Sequence, residues 1–76
     1  MNNVRRKSLT KTKEQIEELR DALQELLDEE QDYLDNIPEN MQSGERYEKA
    51  EEAVSALEDA VCGLEDVADN IDTAIE

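Results

Sequence analysis

From Tyr47 to Ile75 apolar side chains return every seventh residue, at Tyr47, Val54, Val61, Ala68 and Ile75, with a second set at Ala50, Leu57, Leu64 and Ile71. Each member of the second set follows a member of the first by three residues. Only an α-helix gathers positions spaced three and four apart onto one stripe, and a stripe this regular lies along other helices.

The chain has 76 residues, and a domain of this size buries only about 60% of its unfolded surface, so a single copy is marginal without further burial. With one cysteine no internal disulfide forms, and with no histidine and no clustered thiols a structural zinc site is disfavoured. Oligomerisation is the remaining route. The only aromatic residues are Tyr33 and Tyr47, so the core is aliphatic.

Charge is polarised along the chain. Residues 1–13 carry five cationic groups (Arg5, Arg6, Lys7, Lys11 and Lys13) and no acid, whereas the remaining 63 residues carry three cationic groups and all 22 acids, for a net charge of −14. A body this acidic is repelled by nucleic acid phosphates and by anionic membranes, so no direct nucleic acid binding by the helical body and no membrane association are expected. No apolar run approaches the roughly 20 residues that span a bilayer, and the basic start is not followed by a signal-like stretch. A cytoplasmic location is therefore expected, and free Cys62 agrees with a reducing compartment.

Thr12 followed three residues later by Gln15 has the form of a capping box, with Ser8 an earlier candidate, and predicts a first helix over 12–36 preceded by a basic tail, 1–11. Its expected seam is Ile16, Leu19, Leu23, Leu26, Tyr33 and Ile37, with Leu27 and Leu34 widening the stripe. Glu30 interrupts this seam, which implies either local hydration or a buried polar residue that fixes register. Pro38 removes a donor and disfavours helical geometry at Ile37, so a loop is predicted over 37–43. Ser43 is the expected cap of a second helix over 44–75.

These elements predict an all-α fold, an antiparallel two-helix hairpin of coiled-coil type occupying 12–76. Folding about the loop sets Leu19 beside Leu64, Ile16 beside Ala68 and Leu9 beside Ile75. It also brings Lys11 and Lys13 to Asp69, Asp72 and Glu76, where cations offset acids lying at the negative end of the second helix dipole, an electrostatic clamp. Ala53, Ala60, Val67 and Ala74 widen the second stripe, and Glu51, Glu58, Glu65 and Asp72 form an acidic face on its other flank. Two such hairpins covering one another make a four-helix bundle, so a homodimer or higher homo-oligomer is expected, with Ile16, Leu19, Leu23, Leu26, Tyr33, Tyr47, Val54, Leu57, Val61, Leu64 and Ile71 as its seam.

The chemistry-bearing residues are few. Without histidine the usual general base is missing, and Cys62 is flanked by Asp59, Glu65 and Asp66, which oppose a thiolate. Glu17, Glu18, Glu25 and Asp28 resemble the Mg²⁺-binding carboxylates of all-helical nucleotide pyrophosphatases, but at a different spacing, and acids on a helix are ordinarily a solvated face. Arg5, Arg6 and Lys7 lack the aromatic and glycine neighbours of a nucleic-acid-binding arm. No catalytic, cofactor or metal residues are expected, and the chain is read as a non-enzyme.

The stretch Asn36-Ile37-Pro38-Glu39-Asn40-Met41-Gln42-Ser43-Gly44-Glu45-Arg46-Tyr47 and the following Glu48-Lys49-Ala50-Glu51-Glu52-Ala53 resemble a segment of small uncharacterised acidic helical-hairpin proteins of Gram-positive phages and mobile elements. The resemblance implies a phage-type accessory protein and assigns no site. In physical terms the segment is turn chemistry, in which Pro38 stops one helix and Asn40 and Gly44 are suited to unusual backbone angles. The functional expectation is a protein interaction or assembly module. The competing one is an acidic mimic of nucleic acid that occupies a basic groove on a host protein.

Overall fold

The computed structural model describes all residues, Met1–Glu76, as two long helices joined by a short connection. Helix α1 runs Asn3–Asp35, a single 3₁₀ turn occupies Glu39–Met41, and α2 runs Glu45–Ile75. The helices fold back on one another into a rod of 59 × 15 × 13 Å.

Helix α1 begins nine residues before the expected start, so residues 1–11 are not a tail. Asn2 supplies the cap, its Oδ1 accepting the Arg5 N–H at 2.8 Å. The Thr12 hydroxyl instead donates to the Ser8 carbonyl at 2.9 Å, and Thr10 does the same to Arg6. A threonine with a helical turn already before it bonds back along that turn, and no Pro or Gly interrupts residues 3–35.

The connection behaves as its proline dictates. Asn36 closes α1 through its N–H and Nδ2, both donating to the Asp32 carbonyl, and Ile37 turns inward to seal the end of the hairpin at 7% exposure. The Met41 N–H then donates to the Pro38 carbonyl at 2.8 Å, and Gly44 rather than Ser43 occupies the cap position of α2, with no side-chain cap bond. No residue has positive φ, so the turn uses none of the conformational latitude expected of Asn40 and Gly44. Successive right-handed turns with Pro38 in an extended conformation suffice to reverse the chain.

Along α2 the burial follows the sequence periodicity. Ala50, Val54, Val61 and Ala68 are buried, and Tyr47, Leu57, Leu64, Ile71 and Ile75 are half-buried between them. Along α1 the inward residues are Arg6, Leu9, Lys13, Ile16, Arg20, Leu23, Leu27, Glu30 and Leu34, continued just past its end by Ile37, again at alternating spacings of three and four. This seam shares Ile16, Leu23 and Ile37 with the expected one but replaces Leu19, Leu26 and Tyr33 by Arg20, Leu27 and Leu34. Leu19, Leu26 and Tyr33 are exposed by 59, 52 and 39%, which corrects their assignment to the seam of the hairpin. Adjacent apolar pairs at 26–27 and 33–34 support either helix phase. The observed phase keeps Leu27 and Leu34 inside and also lays Arg6 and Lys13 over the acidic end of α2. The centre of the core is Leu27, Val54 and Val61, with Leu23, Leu34 and Leu57 packed against it. Glu30 stays in the seam, half-buried and without an ion pair.

Candidate functional site

Because the helices run in opposite directions, the residue preceding each seam position of the first set faces the same side of the hairpin on both. On α1 that flank is Arg5, Thr12, Leu19, Leu26 and Tyr33, and on α2 it is Arg46, Ala53, Ala60, Val67 and Ala74. One contact fixes the relation: the Arg46 guanidinium lies 5.3 Å from the centre of the Tyr33 ring and its Nε donates to the Tyr33 hydroxyl. Stacking of this kind holds both side chains against the flank. Leu19, Leu26 and Val67 along it remain more than two-fifths exposed.

The opposite flank is chemically different. Glu51, Glu58, Glu65 and Asp72 run down α2 there, with Glu17 across from them on α1. Lys13 bridges to this side, with Nζ 2.6 Å from Asp72 Oδ1 and 3.8 Å from Glu17 Oε1. Its hydrogen bond to Asp72, together with the charges of Asp72, Glu17 and Asp69, raises the Lys13 ammonium above the ordinary lysine pKa of 10.5. Arg6 caps the end of α2, its Nε donating to the Ile75 carbonyl at 3.2 Å. Two of the five basic residues of the first 13 thus close onto α2, where the carbonyls of a helix end lack partners and the dipole is negative. Lys11 is exposed and makes no ion pair.

The apolar flank and the acidic flank are therefore segregated. The apolar flank carries no acid. The next positions outward from it, Ser8, Gln15, Ala22, Glu29, Lys49, Ala56, Gly63 and Asn70, carry only Glu29. At the loop end the flank runs into a cavity of about 200 Å³ lined by Tyr33, Asn36, Ile37, Pro38, Met41 and Arg46. Sequence periodicity alone merged this flank with the core. The signal that separates them is the pairing of Leu26 with Leu27 and of Tyr33 with Leu34, which puts apolar residues on two helix faces instead of one.

Other candidates lie apart from one another. Glu17, Glu18, Glu25 and Asp28 are all exposed along α1, and no group of three or more acids, cysteines or histidines is arranged to hold a metal ion. Cys62 is a free thiol on the surface of α2. No helix is long and apolar enough to cross a membrane. No protein-family model matches the chain, and no curated protein or solved structure matches it either.

Proposed function

We propose that this chain is a non-enzymatic interaction or assembly module, an acidic helical hairpin that self-associates into a four-helix bundle and offers its acidic faces to a protein partner in the cytoplasm. The observation that carries the reading is the segregation itself: Leu19, Leu26, Tyr33 and Val67 stand exposed on one side while the acids of both helices occupy the others. A patch of large apolar side chains on so small a domain marks a contact surface, because it gains free energy only when covered.

Sedimentation equilibrium of the purified chain tests it. A mass of twice 8.7 kDa or more at micromolar concentrations is expected. A species of single-chain mass at every concentration overturns the reading.

The acidic flank favours a second reading, a mimic of nucleic acid phosphate charge. Glu51, Glu58, Glu65 and Asp72 recur about every 10.5 Å along α2, a regular acid array on the outside of a rod. A mimic binds a nucleic-acid-binding protein with affinity that falls steeply with salt, whereas a module docking through its apolar flank is far less salt-sensitive.

A further inference from the structure

We propose that the hairpin's partner on its apolar flank is a second copy of the same chain, packed with the two loops at opposite ends, so that α1 lies against α1 and α2 against α2. The inference rests on the self-association reading and adds which face, and which direction, that association uses.

Area identifies the need. The hairpin exposes 5678 Å², whereas a compact monomer of 8.7 kDa exposes about 4,700 Å² by size scaling. The excess of roughly 900 Å² is close to the ~800 Å² that each partner contributes to a standard stable interface. Charge then selects the face. Two copies of net charge −14 repel through any acidic surface, and the Leu19–Leu26–Tyr33 flank with its α2 counterpart is the side on which acids are missing. An outside partner of opposite charge would be drawn first to the acidic sides, which leaves the acid-free flank to a second copy.

Charge along the rod selects the direction. At the loop end, residues 28–52 hold ten acids and two bases. At the other end, residues 1–13 and 65–76 hold five acids and five bases. Packing with loops together stacks two strongly negative ends, whereas packing with loops apart sets each against a neutral end.

The small residues fit the same arrangement. A twofold axis through the middle of the rod brings the two α2 helices nearest at their midpoint, where Ala60 and Gly63 lie. Nothing in the hairpin itself requires a glycine at Gly63, since a Cβ there would meet nothing within 4 Å, although glycine inside a helix is less favourable than alanine. On α1 the midpoint is Leu19, with Ala22 and Gln15 on the neighbouring row to accept the partner's leucines.

Double electron–electron resonance tests the arrangement in the full chain. With Cys62→Ser as background, a nitroxide on Asn40→Cys at the loop is expected to report a tip-to-tip distance near the 59 Å length of the rod. A distance of less than half that length shows loops at the same end and overturns the direction. Leu26→Glu, exposed in the single hairpin, is expected to keep its helical circular dichroism and to weaken dimerisation by at least about 100-fold, because the leucine of each copy is lost from the interface. Glu58→Gln on the acidic flank is expected to leave dimerisation unchanged or to strengthen it. A dimer that survives Leu26→Glu overturns the face while leaving self-association intact, whereas a chain that is monomeric without any substitution removes the underlying reading as well.

Discussion

Lys13 Nζ and Asp72 Oδ1 meet at 2.6 Å although 59 residues separate them in the chain, and this contact ties the first turns of α1 to the last turns of α2. The Arg6 bond to the Ile75 carbonyl lies about one turn further along α2 and about two turns earlier on α1. Together they place cations where α2 ends in acids and unpaired carbonyls.

Removing this clamp has a salt-dependent cost. Arg6→Gln with Lys13→Gln is expected to lower the thermal midpoint measured in low salt, and the loss is expected to shrink in 0.5 M salt (about a 4 Å screening length) because both sites are partly open to solvent. Thermal melts followed by circular dichroism at the two ionic strengths check this. Equal midpoints for the variant and the parent in low salt would show that these contacts do not support the fold.

The same pair sets an alkaline limit. The folded state raises the Lys13 pKa, chiefly through the hydrogen bond to Asp72. The stabilisation is therefore complete below the unfolded-state value near 10.5 and is lost as pH rises through the higher folded value. Urea unfolding from neutral pH upward is expected to show a steeper alkaline decline for the parent than for Lys13→Gln. Parallel declines would remove the linkage.

The helix phase is testable with two neighbouring leucines. Leu27 is 8% exposed and Leu26 52%. Leu27→Ala is expected to cost about 2–4 kcal/mol of hairpin stability through lost burial and an unfilled cavity. Leu26→Ala, measured at dilution where the chain is monomeric, is expected to change stability by only about 0.5 kcal/mol. Denaturant titrations that give equal losses would mean that the alternative seam through Leu19 and Leu26 is occupied.

Gly44 offers a gain. It holds the cap position of α2 at φ −85° and ψ 164°, with no side chain to satisfy the first turn, and a Cβ there would lie 3.4 Å from the Met41 carbonyl oxygen, an ordinary contact. Gly44→Ser supplies a capping oxygen and restricts the unfolded chain, so a stabilisation of about 0.5–1 kcal/mol is expected. The thermal midpoint should rise by roughly 2–8 °C, and a fall on calorimetry would show that the serine cannot adopt the cap.

Local rules misplaced the start of α1 and the cap of α2. Thr12 with Gln15 has the composition of a capping box, but the same threonine is equally satisfied inside a helix by bonding back to Ser8, and Asn2 caps earlier. Nothing in the residues around Thr12 distinguishes these outcomes, because both satisfy its hydroxyl. Ser43 and Gly44 compete for one position, and the hydrogen bond from the Gly44 N–H to the Met41 carbonyl fixes the backbone so that Gly44 takes it.

By itself the sequence determined two helices, the reversal at Pro38 and the inward face of α2, because one unbroken heptad from Tyr47 to Ile75 has a single apolar phase. Only the tertiary structure decided the phase of α1. Leu26 beside Leu27 and Tyr33 beside Leu34 put apolar residues on two faces of that helix, so its periodicity admits two phases. In the phase adopted, Arg6 and Lys13 meet the carbonyls and acids at the negative end of α2 across the hairpin, where cations are favoured, and Leu19, Leu26 and Tyr33 face outward.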